Sequence, residues 1–373
     1  VVSMSAWMMA GDDDVAGSLT SGGTESILMA VKTYRDRAKK MRPHVKNPNM
    51  VVPTTIHPAF EKAAHYFGVE IIHVAIDDSC RVIPAAVERA ITSDTILLVG
   101  SAPQYCHGVI DPIQALSDIA LRRGLPLHVD ACFGGFMLPW LEKLGYPIPQ
   151  YDFRVPGVTS ISADIHKYGY SSKGASVILY RNAELRSYQY FAYASWPGGL
   201  FGSPSLTGSR PGGIIAAAWA AMVGMGQDGY LRIAAQVMQT TEKLVRAIDT
   251  IDGLKVITKP DMTCVCIVSD SSRVNIHAVA DVMEAKGWKM ERQQLPDSLH
   301  MSILPQHHRV VHTLIQDLSD AAKEVLSNPD LGKQGSTGMY GMVASIPDRG
   351  IIDDFIIKFF GQIYTTAPKK IMS

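Results

Sequence analysis

The chain of 373 residues carries no charge excess, because 35 Lys and Arg balance 35 Asp and Glu. Without a net field it gathers neither nucleic acid nor anionic membrane by bulk electrostatics. It also lacks any run of 18 or more apolar residues, so no transmembrane segment is expected in it. The longest candidate, residues 213–226, is short and rich in small residues and reads as a buried helix. The five cysteines are an odd count without framework spacing, which excludes a disulfide scaffold and points to a reducing, cytoplasmic compartment. Cys264 and Cys266 alternate in a short apolar run and read as strand packing, not as a metal pair, and no metal site is expected. No G-x-x-x-x-G-K-[ST] loop, signal peptide, internal repeat or low-complexity tract is visible. What is present is 47% hydrophobic and 19% charged residues, the balance of a soluble protein with a large core and, by length, two or three domains.

The stretch that organises the chain is S-I-S-A-D-I-H-K-Y-G-Y-S-S-K-G at residues 160–174. Small and hydroxyl residues precede His166-Lys167, and the apolar segment 174–180 follows. The pattern predicts a lysine in a turn between two strands. Burial disfavours the ammonium form, and a neutral amine can attack an aldehyde to form an imine. A surface lysine is the common alternative, so the reading depends on whether the chain supplies the other contacts of an aldehyde cofactor.

It does. G-S-L-T-S-G-G-T-E at 17–25 is followed by apolar positions at helical spacing (Ile27, Leu28, Val31, Tyr34, Ala38). A Gly-Gly turn opening a helix leaves backbone N–H groups free for an anion such as phosphate, and Thr24 adds a hydroxyl. Strand and helix patterns then alternate. Strands are expected at 50–53, 70–76, 95–100 and 125–130, with helices at 58–67, 84–91 and 111–123, the last opened by an Asp111-Pro112 cap pair. Repeated βα units predict an α/β fold with a mostly parallel sheet, helices on both faces, and ligands at the carboxyl ends of the strands. Asp130, in H-V-D-A-C-F-G-G-F, lies at such an end and could keep a pyridine nitrogen protonated. His57 follows another strand and could stack on a ring. Tyr105 and His107 follow a third and are candidate pocket residues.

A Gly/Pro/Ser-rich loop at 196–213 contains Arg210, which could hold an anion or anchor the loop. A long apolar helix is expected at about 214–251, broken near 224–229. Short strands at 254–258, 263–268, 288–293 and 299–304, with helices at 274–286 and 307–326, predict a smaller α+β domain. The expected division is 1–229, 230–335, and a tail at 336–373 with an amphipathic helix at 351–364.

Taken together, T-S-G-G-T-E-S, H-V-D-A-C-F-G-G-F, F-R-V-P-G-V-T-S-I-S-A-D-I-H-K-Y-G-Y and G-S-R-P-G-G resemble the sphingosine-1-phosphate lyases. These belong to the group II decarboxylase branch of fold-type I pyridoxal-phosphate enzymes, a PLP-dependent transferase fold. The resemblance runs from Gly17 through M-Y-G-M at 339–342. His57 with Lys62 and Ala63, and the His166-Lys167 pair, are shared by the wider superfamily. The longer Lys167 string and S-R-P-G-G are more particular to the lyases.

The resemblance implies pyridoxal 5'-phosphate as cofactor and a phosphorylated sphingoid base as substrate. Lys167 would form the imine, Asp130 would pair with the pyridine nitrogen and His57 would stack on the ring. Gly23, Thr24 and His166 would sit near the cofactor phosphate. Tyr105 and Lys173 would face the substrate and count with Lys167 as catalytic residues. Ser209, counted with the cofactor contacts, and Arg210, counted with the substrate contacts, would reach a site shared across a homodimer. The implied reaction is retro-aldol cleavage to a long-chain aldehyde and phosphoethanolamine, with Lys167, Lys173 or the substrate phosphate as base. An amino-acid decarboxylase of the same fold, or a non-catalytic homologue, would keep many of these residues. Lyases of this family carry a segment before T-S-G-G, in some with a membrane anchor, and this chain, beginning at Val1, reads as a trimmed portion of such a protein. The exposed apolar stretch 191–200 is a candidate lipid entrance.

Overall fold

The computed structural model describes residues 1–270, 272–333 and 346–365. Helix α1 (Val2–Met8) leads to strand β1 (Ala16–Thr20) and helix α2 (Gly23–Met41). Alternation follows through β2 (Asn49–Pro53), α3 (Ala59–Phe67), β3 (Glu70–Val74), α4 (Pro84–Ala90), β4 (Thr95–Ser101), α5 (Ile113–Arg123) and β5 (Leu127–Asp130). Helix α6 (Leu138–Lys143), β6 (Val158–Ala163) and β7 (Ser176–Tyr180) complete a seven-stranded sheet in the order β1-β7-β6-β5-β4-β2-β3. Strands β3, β2, β4, β5 and β6 pair in parallel, whereas β7 is antiparallel to both β6 and β1. The parallel strands read as unbroken apolar runs because both faces are covered. Leu97, Leu98, Leu127, Val129 and Ile161 are all buried. This is the expected α/β fold with a mostly parallel sheet.

The strands expected at 50–53, 70–76, 95–100 and 125–130 each end within two residues of that reading, and the helices expected at 58–67, 84–91 and 111–123 start within two, but one local reading differs. Asp111 does not cap α5. Its carboxylate is fully buried and accepts hydrogen bonds from the Ser101 amide at 2.8 Å and the Val82 amide at 3.1 Å. Two buried amides, one at the end of β4 and one just before α4, claimed the side chain, and α5 begins without a side-chain cap.

Beyond β7 lie α7 (Ala183–Ser187) and a hairpin of β8 (Phe191–Tyr193) with β9 (Phe201–Ser203). The hairpin's turn and second strand fall in the first part of what reads in sequence as irregular loop. Helix α8 (Gly212–Ile248) follows and departs from helical geometry at Gly226, inside the break expected there. Its first half is not buried as its composition suggests, since Ile215, Trp219 and Val223 stand exposed. The remaining strands are β10 (Leu254–Val256), β11 (Cys264–Ser269), β12 (Glu291–Gln293) and β13 (Ser298–Ser302), in a sheet ordered β10-β11-β13-β12. Cys264 and Cys266 are buried on β11, as strand packing requires. Helix α9 (Ile276–Ala285) is capped by Asn275, which accepts from the His277 and Ala278 amides. Helices α10 (His307–Ser327) and α11 (Arg349–Ile363) end the described chain. The M-Y-G-M segment lies outside the described residues.

The chain forms two compact units. One comprises Val1–Arg246 with Val256–Cys266 and Met301–Val311; the other comprises Ala247–Lys255, Ile267–His300 and His312 onward. The division therefore falls near residue 246, not 229, because α8 continues past its break at Gly226, and the chain returns twice to the first unit. Every site residue discussed below belongs to that first unit. No helix among the described residues is long and apolar enough to cross a membrane.

Candidate active site

The site is built at the carboxyl ends of β5 and β6 and the start of α2. After β1 the chain turns through Ser21-Gly22 into α2, whose first amides have no intrahelical partner. Glu25 in the first turn reaches back to accept from the Ser21 amide at 2.7 Å, which fixes the turn. Gly23 has no room for a side chain: a Cβ there would lie 2.8 Å from Cys132 Sγ and 2.9 Å from both Asp164 carboxylate oxygens. The cradle can exist only with glycine at this position.

Ser21, Gly22, Gly23, Thr24, His57, Cys132, Asp164, His166 and Lys167 line a chamber of about 360 Å³ around that cradle. His57 Nδ1 accepts from the Ala59 amide at 3.1 Å, which holds the ring at the entrance to α3. Asp130 is buried beside the chamber, its Oδ1 accepting from the Cys132 amide at 3.0 Å and Ser162 Oγ at 3.1 Å. Burial alone would raise its pKa. The nearby His57 imidazole and the Cys132 hydrogen bonds outweigh burial and hold Asp130 below the usual carboxylate range.

Lys167 lies in the turn between β6 and β7, as expected. Its protonation differs from the sequence reading. Burial would push the amine down, but Asp164 Oδ2 stands 2.9 Å from Lys167 Nζ and reverses the direction. Lys167 is therefore held above the ordinary lysine value, as an ammonium. Asp164 is itself buried, accepts from Ser176 Oγ at 2.6 Å and faces His166 Nε2 at 3.6 Å. No motif reading had singled it out, although it stands three residues before the lysine.

A second chamber of about 460 Å³ adjoins at Lys167. Phe133, His166, Lys167, Tyr170, Lys173 and Gln306 are among its lining residues. His166 and Lys167 belong to both chambers. His166 Nδ1, Tyr170 Oη and Ser171 Oγ are buried and have no partner. Burial, with Lys173 and Lys167 nearby, keeps His166 below its ordinary value despite Asp164. Polar atoms in this condition await a polar ligand.

The geometry thus unites Gly23, Thr24, His57, Asp130, His166 and Lys167, and sets Lys173 next door. Tyr105 does not line either chamber; it is half-exposed and touches the chamber residue Phe133 edge-on, with centroids 6.1 Å apart. His107 is buried and bonded to Gln104, a packing role and not a pocket one. Ser209 is exposed. Arg210 points to neither chamber. It donates to the Leu19 carbonyl and pairs with Glu25 at 3.2 Å, so within its own chain it anchors the 196–213 loop to the start of α2.

Comparison with known proteins identifies the family. The model of the pyridoxal-dependent decarboxylase conserved domain matches residues 2–269. Sphingosine-1-phosphate lyase of Dictyostelium discoideum is 45% identical over 366 residues, covering 98% of this chain and 68% of that protein. The chain belongs to the sphingosine-1-phosphate lyase family. Mouse sphingosine-1-phosphate lyase 1 is 42% identical, covering 99% of this chain and 65% of the mouse protein. The chain thus spans about two thirds of the length of these relatives. The solved structure of the lyase from Burkholderia pseudomallei superposes with a TM-score of 0.84 at 42% identity, covering 92% of this chain and 78% of that one. Glutamate decarboxylase of Lactobacillus brevis, at 21% identity and a TM-score of 0.77, shares the fold.

The family's cofactor is pyridoxal phosphate, and this lyase-family site fits it. The side-chain-free cradle suits a phosphate, Asp130 suits a protonated ring nitrogen, and Lys167 supplies an amine between two chambers. The partnerless Nδ1 of His166 marks a polar position still to be satisfied.

Proposed function

We propose that this chain catalyses retro-aldol cleavage of phosphorylated sphingoid bases to a long-chain aldehyde and phosphoethanolamine. The observation that carries the reading is the pair of chambers sharing His166 and Lys167, one built for a cofactor phosphate and one lined by Lys173 and orphaned hydroxyls. Pyridoxal phosphate, when bound, supplies an aldehyde carbon and an electron-accepting ring that stabilises negative charge at the substrate carbon. Gly22, Gly23 and Thr24 would hold its phosphate, His57 would cover the ring and Asp130 would keep the ring nitrogen protonated. Lys173 would fix the substrate phosphate, and Tyr105 would act through Phe133 at the mouth of the second chamber.

Lys167 Nζ is, with the His166 imidazole, one of two basic groups common to both chambers. Once the Lys167 ammonium has lost its own proton, we assign its neutral amine the proton of the substrate hydroxyl, with Asp164 as the adjoining carboxylate that steadies the ammonium formed again. Exposed Ile215, Trp219 and Val223 on α8 support a homodimer in which a second copy covers that face. There Ser209 and Arg210 would border the shared site. Exposed Phe191, Trp196 and Leu200 on the hairpin support a lipid entrance. Five thiols without a disulfide support a reducing, cytoplasmic setting.

Product analysis by mass spectrometry tests the reading. The protein loaded with pyridoxal phosphate should convert sphingosine 1-phosphate to hexadecenal and phosphoethanolamine. Release of carbon dioxide and an amine from an amino acid, with no cleavage of the lipid, would assign the same site to decarboxylation instead.

A further inference from the structure

A file of buried polar side chains runs beneath the sheet and ends on Asp130. Tyr34 Oη on α2 lies 2.7 Å from Ser160 Oγ on β6, and Ser160 Oγ lies 2.7 Å from His128 Nδ1 on β5. On the far side of the ring, His128 Nε2 lies 3.2 Å from Ser162 Oγ, which lies 3.1 Å from Asp130 Oδ1. Tyr34, His128, Ser160 and Ser162 are all buried, three of them with no exposed surface at all.

Each proton in this file has one allowed place. An ionised carboxylate only accepts, so Ser162 must donate to Asp130. A hydroxyl has one proton, so Ser162 must then accept from His128, which puts a hydrogen on Nε2. A neutral imidazole with Nε2–H has an accepting Nδ1, so Ser160 donates there and in turn accepts from Tyr34. Tyr34 Oη also lies 2.7 Å from Thr159 Oγ1; because the single Tyr34 proton goes to Ser160, Thr159 must donate here, although its oxygen also lies 3.0 Å from the Leu127 carbonyl. The alternative tautomer would turn the Ser162 proton to the ring and leave two acceptors facing each other at Asp130.

We propose that Tyr34, Ser160, His128 and Ser162 are positioning residues that act through Asp130, a relay of aligned donors that holds its carboxylate ionised and correctly turned toward the cofactor's ring nitrogen. The inference rests on the role read for Asp130 above. Other groups facing Asp130 are His57, the Cys132 thiol and Lys167. Complete burial pushes His128 down to about 4, in keeping with a neutral ring. Packing alone does not call for such a file, since apolar side chains would fill the same space without needing protons aligned.

The test uses cofactor-free and loaded protein together. In ¹⁵N-histidine-labelled cofactor-free protein, the signal lost in His128→Gln should show the Nε2–H tautomer and should not titrate between about pH 5 and 8. In ¹³C-aspartate-labelled protein, the Asp130 carboxyl midpoint should rise most in Ser162→Ala, less in Ser160→Ala and least in Tyr34→Phe. Loaded Ser162→Ala should hold pyridoxal phosphate about tenfold less tightly, equivalent to about one pKa unit at Asp130. If His128→Gln or Ser162→Ala does not fold, the graded response of Ser160→Ala and Tyr34→Phe decides. A charged or Nδ1–H His128, or an Asp130 midpoint unmoved by these changes, would overturn the relay. The NMR results stand whatever the substrate proves to be, so failure of the lyase reading in product analysis is distinguishable from failure of the relay.

Discussion

Lys167 and Asp164 form an ion pair at 2.9 Å inside the same turn, in the chamber that the cofactor would enter. The lysine is therefore stored as an ammonium and must give up a proton before its amine can attack an aldehyde. Asp164→Asn should lower the Lys167 pKa and make the amine reactive at lower pH. Reductive ¹³C-methylation of cofactor-free protein, with Lys167→Ala to assign the signal, would measure this by NMR. The folded-state pKa is raised above the ordinary lysine value. The pair's contribution to stability is accordingly complete below that value and is lost as pH rises through the folded-state pKa. Melting curves of wild type and Asp164→Asn should converge at strongly alkaline pH. A constant gap up to that pH would argue against the pair.

Removing the amine gives a second outcome. Lys167→Ala should abolish the imine absorbance and the mass increase on the peptide bearing residue 167 after borohydride reduction. Asp164 would lose its principal cation, at a cost on the order of 1–3 kcal/mol, moderated because the lysine is 31% exposed. Persistence of the absorbance would assign the imine to another lysine.

Gly23 gives a third. An alanine methyl would meet Cys132 Sγ and the Asp164 carboxylate at under 3 Å. Gly23→Ala should destabilise the protein by about 1–3 kcal/mol and weaken cofactor retention by at least about tenfold, or about 1.4 kcal/mol. Equilibrium dialysis against pyridoxal phosphate and chemical unfolding would measure the two effects separately.

Arg210 gives a fourth. It pairs with Glu25, whose side chain is almost wholly buried and which also fixes the Ser21 turn. Arg210→Ala should cost about 3 kcal/mol by leaving that carboxylate unpaired, and should weaken cofactor retention through the cradle. Arg210→Lys should restore only part of both, because one ammonium replaces a planar fork that serves Glu25 and the Leu19 carbonyl together. Full recovery by lysine would show that charge alone suffices.

Much of this architecture is legible in local signals. Apolar runs bounded by turns marked β2, β4 and β5, and Asp130 and Lys167 stand at strand ends where an α/β sheet places ligands. The hairpin of β8 and β9 escaped notice because its strands are three residues each, too short for a period to register. Asp111 shows the opposite case: a strong local cap signal yielded to two distant amides. The first half of α8 shows that apolar composition reports a need for cover without saying what supplies it.

The amino-acid sequence by itself determined the alternation of strands and helices along the chain, the glycine cradle, the lysine turn and the family, because these depend on neighbours within a few residues or on motifs held in one stretch. Only the tertiary structure decided the protonation of Lys167, the anchoring role of Arg210 and the polar file ending on Asp130. Those depend on which groups meet across strands and turns at about 3 Å, where a single carboxylate or one shared proton reverses the direction that burial alone would set.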